Sequence, residues 1–406
     1  MATPVRPRTT PRAVSRTAHR ARSRSAHRAV LPAEPHRAKA GRVRDLAPNW
    51  YASVMGTAIV ATAGATLPLP VPGLRTAAAV VWALSLVLLA VLLVARARHW
   101  IHHRDRAREH LMDPAVAPFL GCVPMALLAT GGATLVVGRD WIGTGPAVAV
   151  DAVLFTAGTV TGLAVAVGVP YLMIVHHRLE HATPAWLLPV VPPMVSAALG
   201  PLLVPHLPAG GPWRETLLLA CYAQFGLSLL ATVLILPLVF GRLVTGGPLP
   251  LALTPTLFLV LGPLGQSATA AGKFADVAPG VLPAPYAEGF TAFAVLYGVP
   301  VVGFALLWLA LAGVLVLRAR RRGMGFAMTW WAFTFPVGTC VTAAEGLAAH
   351  TGLGVFRWLA AGLYVLLVAA WATAAALTVR GLLSGELLPG PGSAPRAPRR
   401  ATARTR

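Results

Sequence analysis

The sequence predicts an all-α polytopic membrane protein with ten transmembrane helices, arranged as five repeated helical hairpins around a central pore. Apolar residues make up 56% of the 406 residues and charged residues only 12%, about half the share of charge in an ordinary soluble domain. Apolar segments long enough to cross a hydrocarbon core of about 30 Å recur along the chain. Prolines recur within alternate segments at a nearly constant spacing, which predicts the repeated hairpin.

Both ends of the chain are predicted to be basic tails. Residues 1–48 contain eleven Arg and one Lys but only two acidic residues, and residues 389–406 are also rich in Arg and Pro. Such a composition cannot bury a core and predicts disorder. A targeting peptide or a lipid-binding or nucleic-acid-binding patch is the alternative for the first tail, but we favour a solvated cytoplasmic tail without nucleic acid as a partner. The membrane domain is then residues 49–388, and its partner is the lipid bilayer.

Lys and Arg placement predicts the orientation. Ten spans put both termini on one side of the membrane, and 29 of the 34 Lys and Arg residues fall on that side. Cytoplasmic loops are enriched in these residues, so we expect a plasma-membrane protein with cytoplasmic N and C termini. The predicted spans are about 50–69, 74–96, 114–137, 146–175, 184–205, 215–240, 251–272, 287–317, 326–349 and 355–379.

An internal repeat of about 70 residues predicts the ring. Pro124, Pro193, Pro263 and Pro336 lie within the third, fifth, seventh and ninth spans, at spacings of 69, 70 and 73 residues. A proline inside a helix removes a hydrogen bond and kinks the helix. Parallel repeats predict an axis along the membrane normal, so one kinked helix from each hairpin is expected to line an axial pore.

The odd-numbered spans are predicted to line this pore because they combine prolines with small and hydroxylated residues. Small residues also serve close helix packing, but their joint occurrence with the prolines favours the pore. Thr62, Thr269 and Thr342 are further hydroxylated residues of these spans. The predicted pore-lining residues are Gly56, Thr57, Gly121, Ser196, Gly262, Gln266, Ser267, Thr334 and Thr339.

Ionisable residues within the spans are few. Glu345 lies toward the outer end of the ninth span, where we place it at the outer mouth of the pore with Lys273. An intramembrane carboxylate is a candidate functional group; the alternative is a solvated carboxylate paired with Lys273 or another base. No chain of Asp, Glu and His crosses the spans, which favours passive conduction over a proton-driven pump. We predict no catalytic constellation, no cofactor and no metal site.

Local motifs occur in a characteristic order along the chain. The resemblance rests on Asn49 to Thr57, Asp113-Pro114, Pro124-Met125, Leu261 to Ser267 and Trp330 to Pro336. With these motifs the chain resembles the tellurite-resistance/dicarboxylate transporter family, which includes slow anion channels, malic acid permease and the sulfite efflux pump.

The family resemblance implies a homotrimer of ten-helix subunits, each with its own pore. It also implies a phenylalanine on the ninth helix that plugs the pore. By motif position this residue is Phe335, with Phe333 as the alternative.

The predicted function is passage of small anions through a gated central pore. C4-dicarboxylates such as malate, sulfite and inorganic anions all fit, because no charged specificity group is visible. The excess of cytoplasmic arginine would concentrate anions at the inner mouth, so we expect passive, efflux-biased flux. A proton-coupled secondary transporter of a C4-dicarboxylate or sulfite is the alternative. A non-conducting membrane scaffold or sensor is a more remote one.

Overall fold

The computed structural model describes residues 46–102, 104–176, 181–209 and 211–387. Over these residues the protein consists of helices joined by short connections, and no strand occurs among them. The predicted all-α class is therefore confirmed. Except for residues 46–48, both predicted tails, 1–48 and 389–406, lie outside the described residues.

The described residues form twelve α-helices, several of them preceded by a 3-10 helix. Their bounds are α1 Tyr51–Thr66, α2 Leu74–His102, α3 Arg104–Met112, α4 Cys122–Ala133, α5 Arg139–Ile142, α6 Thr144–Val175, α7 Pro192–Leu199, α8 Trp213–Gly246, α9 Leu261–Val277, α10 Ala284–Arg321, α11 Phe335–Thr351 and α12 Gly354–Leu383.

Five of these helices close a ring. Helix α1 contacts α4, α4 contacts α7, α7 contacts α9, α9 contacts α11, and α11 returns to α1. We call these five the central helices. The five long helices α2, α6, α8, α10 and α12 each follow one central helix in the chain, and we call them the peripheral helices. Each peripheral helix packs against the central helix before it and also against the next one.

Burial separates the two sets. In their most apolar stretches, 83% and 78% of the residues are buried for the central segments Ala117–Ile142 and Leu251–Gly280. The corresponding fraction is between 17% and 33% for the peripheral helices. Apolar side chains that remain exposed on a long helix suit contact with hydrocarbon. The peripheral helices therefore present the apolar surface, and the core lies among the central helices.

The four repeated prolines lie in the first turn of a central α-helix, and a 3-10 segment precedes each of these helices. The first-turn amides of an α-helix have no intrahelical acceptor, so a proline there removes no hydrogen bond. The kink expected within a continuous helix is thus a change from 3-10 to α-helix. The 3-10 segments are Ala117–Gly121 before Pro124, Pro184–Leu187 before Pro193, Leu251–Val260 before Pro263 and Met328–Phe333 before Pro336.

Because of these breaks, several of the ten predicted spans are not single α-helices long enough to cross the bilayer. The central helices α1, α7 and α11 have only 16, 8 and 17 residues, too short by themselves to cross the bilayer as about 20 α-helical residues would. By length and composition, seven described stretches could cross a membrane: Leu74–His102, Ala117–Ile142, Thr144–Val175, Trp213–Gly246, Leu251–Gly280, Ala284–Arg321 and Gly354–Leu383.

Candidate functional site

A cavity of about 210 Å³ lies inside the ring and is lined by all five central segments. Each segment contributes residues from its C-terminal half or from the turn that continues it, so the five segments surround the cavity at the same end. The lining residues are Ile59, Thr62, Thr66, Ala129, Val136, Ala198, Leu199, Leu202, Gln266, Thr269, Gly272, Lys273, Asp276, Phe335, Thr342, Glu345, Gly346 and Ala349.

The two ends of the cavity differ in exposure. Lys273 and Asp276, near the C-terminal end of α9, have side chains that are 37% and 40% exposed. Phe335, the first residue of α11, is 2% exposed. Ile59, Gln266 and Phe335 are the lining residues farthest along their helices from the exposed end. The cavity is thus exposed at the end formed by Lys273 and Asp276, which we call the mouth, and closed at Phe335.

The two candidate gate phenylalanines point to different surroundings. Phe335 lines the cavity. The ring of Phe333 packs edge to face against Phe258 at a centroid distance of 4.8 Å and against Trp330 at 5.7 Å. An aromatic pair of this geometry stabilises the contact between two 3-10 segments. Only Phe335 of the two is therefore placed to obstruct the cavity.

Uncharged polar side chains form part of the cavity wall. The side chain of Gln266 is 2% exposed, and its Oε1 atom is buried without a hydrogen-bond partner among the described residues. Thr269 and Thr342 face each other across α9 and α11, with their hydroxyl oxygens 2.7 Å apart. The Thr62 hydroxyl donates to the Ala58 carbonyl at 3.1 Å. Of the nine residues predicted to line a pore, Gln266 is the one that lines this cavity.

Glu345 lies on the cavity wall, two turns before the end of α11. Its side chain is 9% exposed, and its Oε2 atom accepts a hydrogen bond from the Thr66 hydroxyl at 2.6 Å. The other carboxyl oxygen, Oε1, is buried without a partner among the described residues. The interaction with Thr66 joins the C-terminal ends of α1 and α11.

Lys273, Asp276 and His350 form the mouth cluster. The Lys273 ammonium donates to Asp276 Oδ2 at 2.8 Å, and His350 Nε2 lies 3.2 Å from Asp276 Oδ1. The structure therefore pairs Lys273 with Asp276, not with Glu345. Sequence reasoning overlooked Asp276 and His350. The spacing of three residues between Lys273 and Asp276 on one helix was a usable signal.

Three residues that were predicted to line the pore form hydrogen bonds with peripheral helices and do not line the cavity. Trp371 Nε1 of α12 donates to Thr57 Oγ1 at 3.0 Å. The Tyr297 hydroxyl of α10 donates to Ser267 Oγ at 2.8 Å. Ser196 Oγ lies 2.9 Å from the hydroxyl oxygen of Thr159 on α6. These hydroxyl groups hold the peripheral helices on the ring, because a polar group inside an apolar layer needs a partner.

Other predicted pore residues lie where central segments touch each other. A Cβ atom on Gly56 would meet Thr334 Oγ1 at 2.2 Å, and one on Gly121 would meet the Leu188 carbonyl oxygen at 1.9 Å. The Thr339 hydroxyl bonds to the carbonyl of Leu261 on α9, at 3.2 Å. These residues allow close approach of neighbouring segments.

Gly262 differs from these packing glycines. It is buried, yet a Cβ atom there would meet nothing within 4 Å. It borders open space in the first turn of α9, four residues before Gln266.

Comparison with known proteins identifies the family of this chain. The sequence matches the voltage-dependent anion channel family over residues 45–379. The chain belongs to this family. The family predicted from the sequence motifs is thereby confirmed, and the protein is a multi-pass membrane protein of an anion-transport family.

Individual relatives cover most of the chain. An uncharacterized transporter from Methanocaldococcus jannaschii is 28% identical over 87% of this chain and 98% of its own length. A sulfite efflux pump from Arthroderma otae is 30% identical over 84% of this chain and 92% of its own. One from Trichophyton rubrum is 29% identical over the same shares. The similarity thus covers most of the described helices.

Proposed function

We propose that the protein conducts small anions across the membrane through a pathway along the axis of the ring, with Phe335 as the gate. The observation that carries this proposal is a cavity that is bounded by all five central segments and closed at Phe335. In this proposal the five central and five peripheral segments cross the bilayer as ten transmembrane helices, paired as five hairpins. The breaks at Pro124, Pro193, Pro263 and Pro336 are tolerated because they face protein or a watered pathway.

The lining suits weak, transient binding of an anion. The Gln266 amide offers partial positive charge through its N–H dipoles, and the hydroxyls of Thr62, Thr269 and Thr342 make the rest of the wall weakly polar. A pathway of this kind binds an ion firmly enough to admit it and weakly enough to release it. Gly262, which borders open space beyond the closed end, is proposed to continue the pathway past Phe335.

Several properties are proposed together with this activity. The substrates are small anions, among them sulfite, C4-dicarboxylates such as malate and inorganic anions; the names of the fungal relatives support sulfite. Flux is passive and efflux-biased. Both termini are cytoplasmic in the plasma membrane, so the mouth faces outward. The family resemblance supports a homotrimer with one pathway in each subunit.

Anion flux into liposomes tests the proposal. Purified protein is reconstituted, and uptake of chloride, nitrate, sulfite and malate is measured at a fixed membrane potential, with and without a pH gradient. Passive conduction predicts uptake of at least one anion driven by the potential alone, above the level of protein-free liposomes. Uptake only with a pH gradient would instead support a proton-coupled secondary transporter. Absence of uptake of every anion, by protein that elutes as a single folded species, would contradict both.

A further inference from the structure

Two buried acceptor atoms of the cavity wall have no hydrogen-bond partner within the described part of the chain. Glu345 Oε1 and Gln266 Oε1 are both buried, and their side chains are 9% and 2% exposed. Both residues line the cavity. A buried acceptor without a donor is costly, so both atoms require donors from whatever fills the cavity. Glu345 differs from Gln266 because its carboxyl group can change charge.

The two basic groups nearest the mouth, Lys273 and His350, share one acid, Asp276. The Lys273 ammonium bonds to Asp276 at 2.8 Å, and His350 bonds to the same carboxylate at 3.2 Å and to the Gly272 carbonyl at 3.2 Å. In each of these contacts the partner is the Asp276 carboxylate or a backbone carbonyl. None of these contacts includes Glu345, although the Lys273 ammonium lies near enough to attract its carboxylate.

As far as the structure describes them, the other helices packed on α11 add no counter-ion for Glu345. On α12, the Tyr364 hydroxyl donates to the Val60 carbonyl at 3.4 Å. Helix α10 packs against α11 with apolar residues, among them Val302. Arg75, at the start of α2, reaches the end of α1 but bonds to Asp140 at 2.6 Å. On α1 itself, the group that bonds Glu345 is the uncharged Thr66.

An ionised Glu345 would oppose the proposed anion. An anion bound about 6 Å from the carboxyl group is repelled by it, and at an effective dielectric constant of about 20 this repulsion weakens binding about a hundredfold. The protonated acid has no such repulsion. Its O–H group also donates a hydrogen bond, which an anion accepts.

We propose that Glu345 is a proton-linked part of the anion site, which holds an anion only while Glu345 carries a proton. This inference rests on the proposed function, because it needs an anion in the cavity. One proton from the solution at the mouth adds to the Glu345 carboxylate as one anion enters, and both leave when the site empties. No covalent bond to the anion forms. Thr66 keeps one carboxyl oxygen in place in either state.

Proton uptake on anion binding tests the inference. Purified protein in weakly buffered detergent solution is titrated with nitrate or chloride, which both stay unprotonated, at several pH values from about 5 to about 8. A pH-indicator dye reports proton uptake and calorimetry reports affinity. For the wild type, we expect up to one proton per anion and an affinity that falls up to tenfold per pH unit.

Three variants assign the effect to a residue. Glu345→Gln keeps an oxygen for Thr66 and an N–H donor for the anion, so it should bind the anion at every pH without proton uptake. Glu288→Gln, an exposed acid near the start of α10, should behave like the wild type. His350→Gln should also retain proton uptake, which separates Glu345 from the mouth cluster.

The outcomes distinguish the inference from the proposed function. Proton uptake that persists in Glu345→Gln overturns the inference, as does wild-type binding of nitrate or chloride that does not change with pH. Both results leave the anion pathway in place if the liposomes take up anions. Failure of the wild type to bind either anion overturns the inference too, and the liposome panel then decides the proposed function separately.

Discussion

Phe335 and Glu345 line the same cavity from one helix, ten residues apart. At about 1.5 Å per residue the two side chains are separated by about 15 Å along α11. The helix therefore places a bulky apolar ring at the closed end of the cavity and an acid near the mouth. One residue thus closes the cavity and another supplies its acidic group, so each property can be changed by its own substitution.

Replacement of Phe335 by alanine should open the pathway. The ring is 2% exposed and closes the cavity, and loss of a barrier of about 1.4 kcal/mol or more raises flux about tenfold or more. Bilayer recording, or liposome uptake at fixed potential, measures the change per reconstituted protein.

Phe333→Ala is the matched control. Phe333 packs on Phe258 and Trp330, so its removal should lower thermal stability and leave flux per folded protein unchanged. An increase in flux in Phe333→Ala that is absent in Phe335→Ala would assign the gate to the other ring.

Alanine at Gly121 should lower stability, whereas alanine at Gly262 should leave it nearly unchanged. A methyl group at 121 meets the backbone carbonyl of Leu188 at 1.9 Å, whereas one at 262 meets nothing within 4 Å. Backbone cannot move aside as a side chain can, and overpacking costs about 1–3 kcal/mol. Gly121→Ala should therefore unfold at a clearly lower temperature in detergent than the wild type.

Gly262→Ala serves as the control for that change and should unfold near the wild-type temperature. If Gly262 borders the pathway, the larger Gly262→Val should reduce anion flux at unchanged stability. Equal unfolding temperatures for Gly121→Ala and Gly262→Ala would show that the approach of Leu188 does not constrain the fold.

Composition and motif order were sufficient to predict the helical class and the family. The low share of charge allows little except membrane helices, and the ordered motifs around Pro124, Leu261 and Trp330 span most of the chain. The breaks in four of the five central segments also followed from prolines at a regular spacing. Its form, a 3-10 segment that passes into an α-helix, depends on backbone contacts between segments that the sequence does not display.

The sequence did not predict whether each small polar residue faces the cavity or a neighbouring helix. Thr57 and Thr62 lie five residues apart on α1, yet Thr57 bonds to Trp371 of a peripheral helix and Thr62 lines the cavity. Five residues turn an α-helix by about 1.4 turns, so the two hydroxyls face different directions. Serine, threonine and glycine serve close packing as well as a pathway, and only the rotation of the helix decides between them.

A double-mutant cycle at Thr57 and Trp371 should detect their hydrogen bond. The indole Nε1 atom donates to the Thr57 hydroxyl at 3.0 Å, and such bonds in membrane proteins contribute about 0.6 kcal/mol on average. Thr57→Val and Trp371→Phe should each lower the free energy of unfolding, and the double variant should lower it by less than the sum.

Anion selectivity provides the second measurement for this pair. Because Thr57 faces a peripheral helix, Thr57→Val should leave the order of permeating anions unchanged, whereas Thr62→Val on the cavity wall should change it. A changed order in Thr57→Val alone would place its hydroxyl in the pathway.

Asp276→Asn should increase anion uptake at low ionic strength. The carboxylate bonds to Lys273 and His350 at the mouth, and its removal leaves the ammonium charge without its partner. A unit charge about 6 Å from an entering anion, in water-like surroundings, changes its local concentration about threefold. Salt screens this attraction, so the difference from the wild type should fade as ionic strength increases. Lys273→Gln should change uptake in the opposite direction with the same dependence on salt. A salt-independent increase in Asp276→Asn would instead indicate that the substitution rearranges the mouth, because electrostatic attraction at an exposed site is always screened.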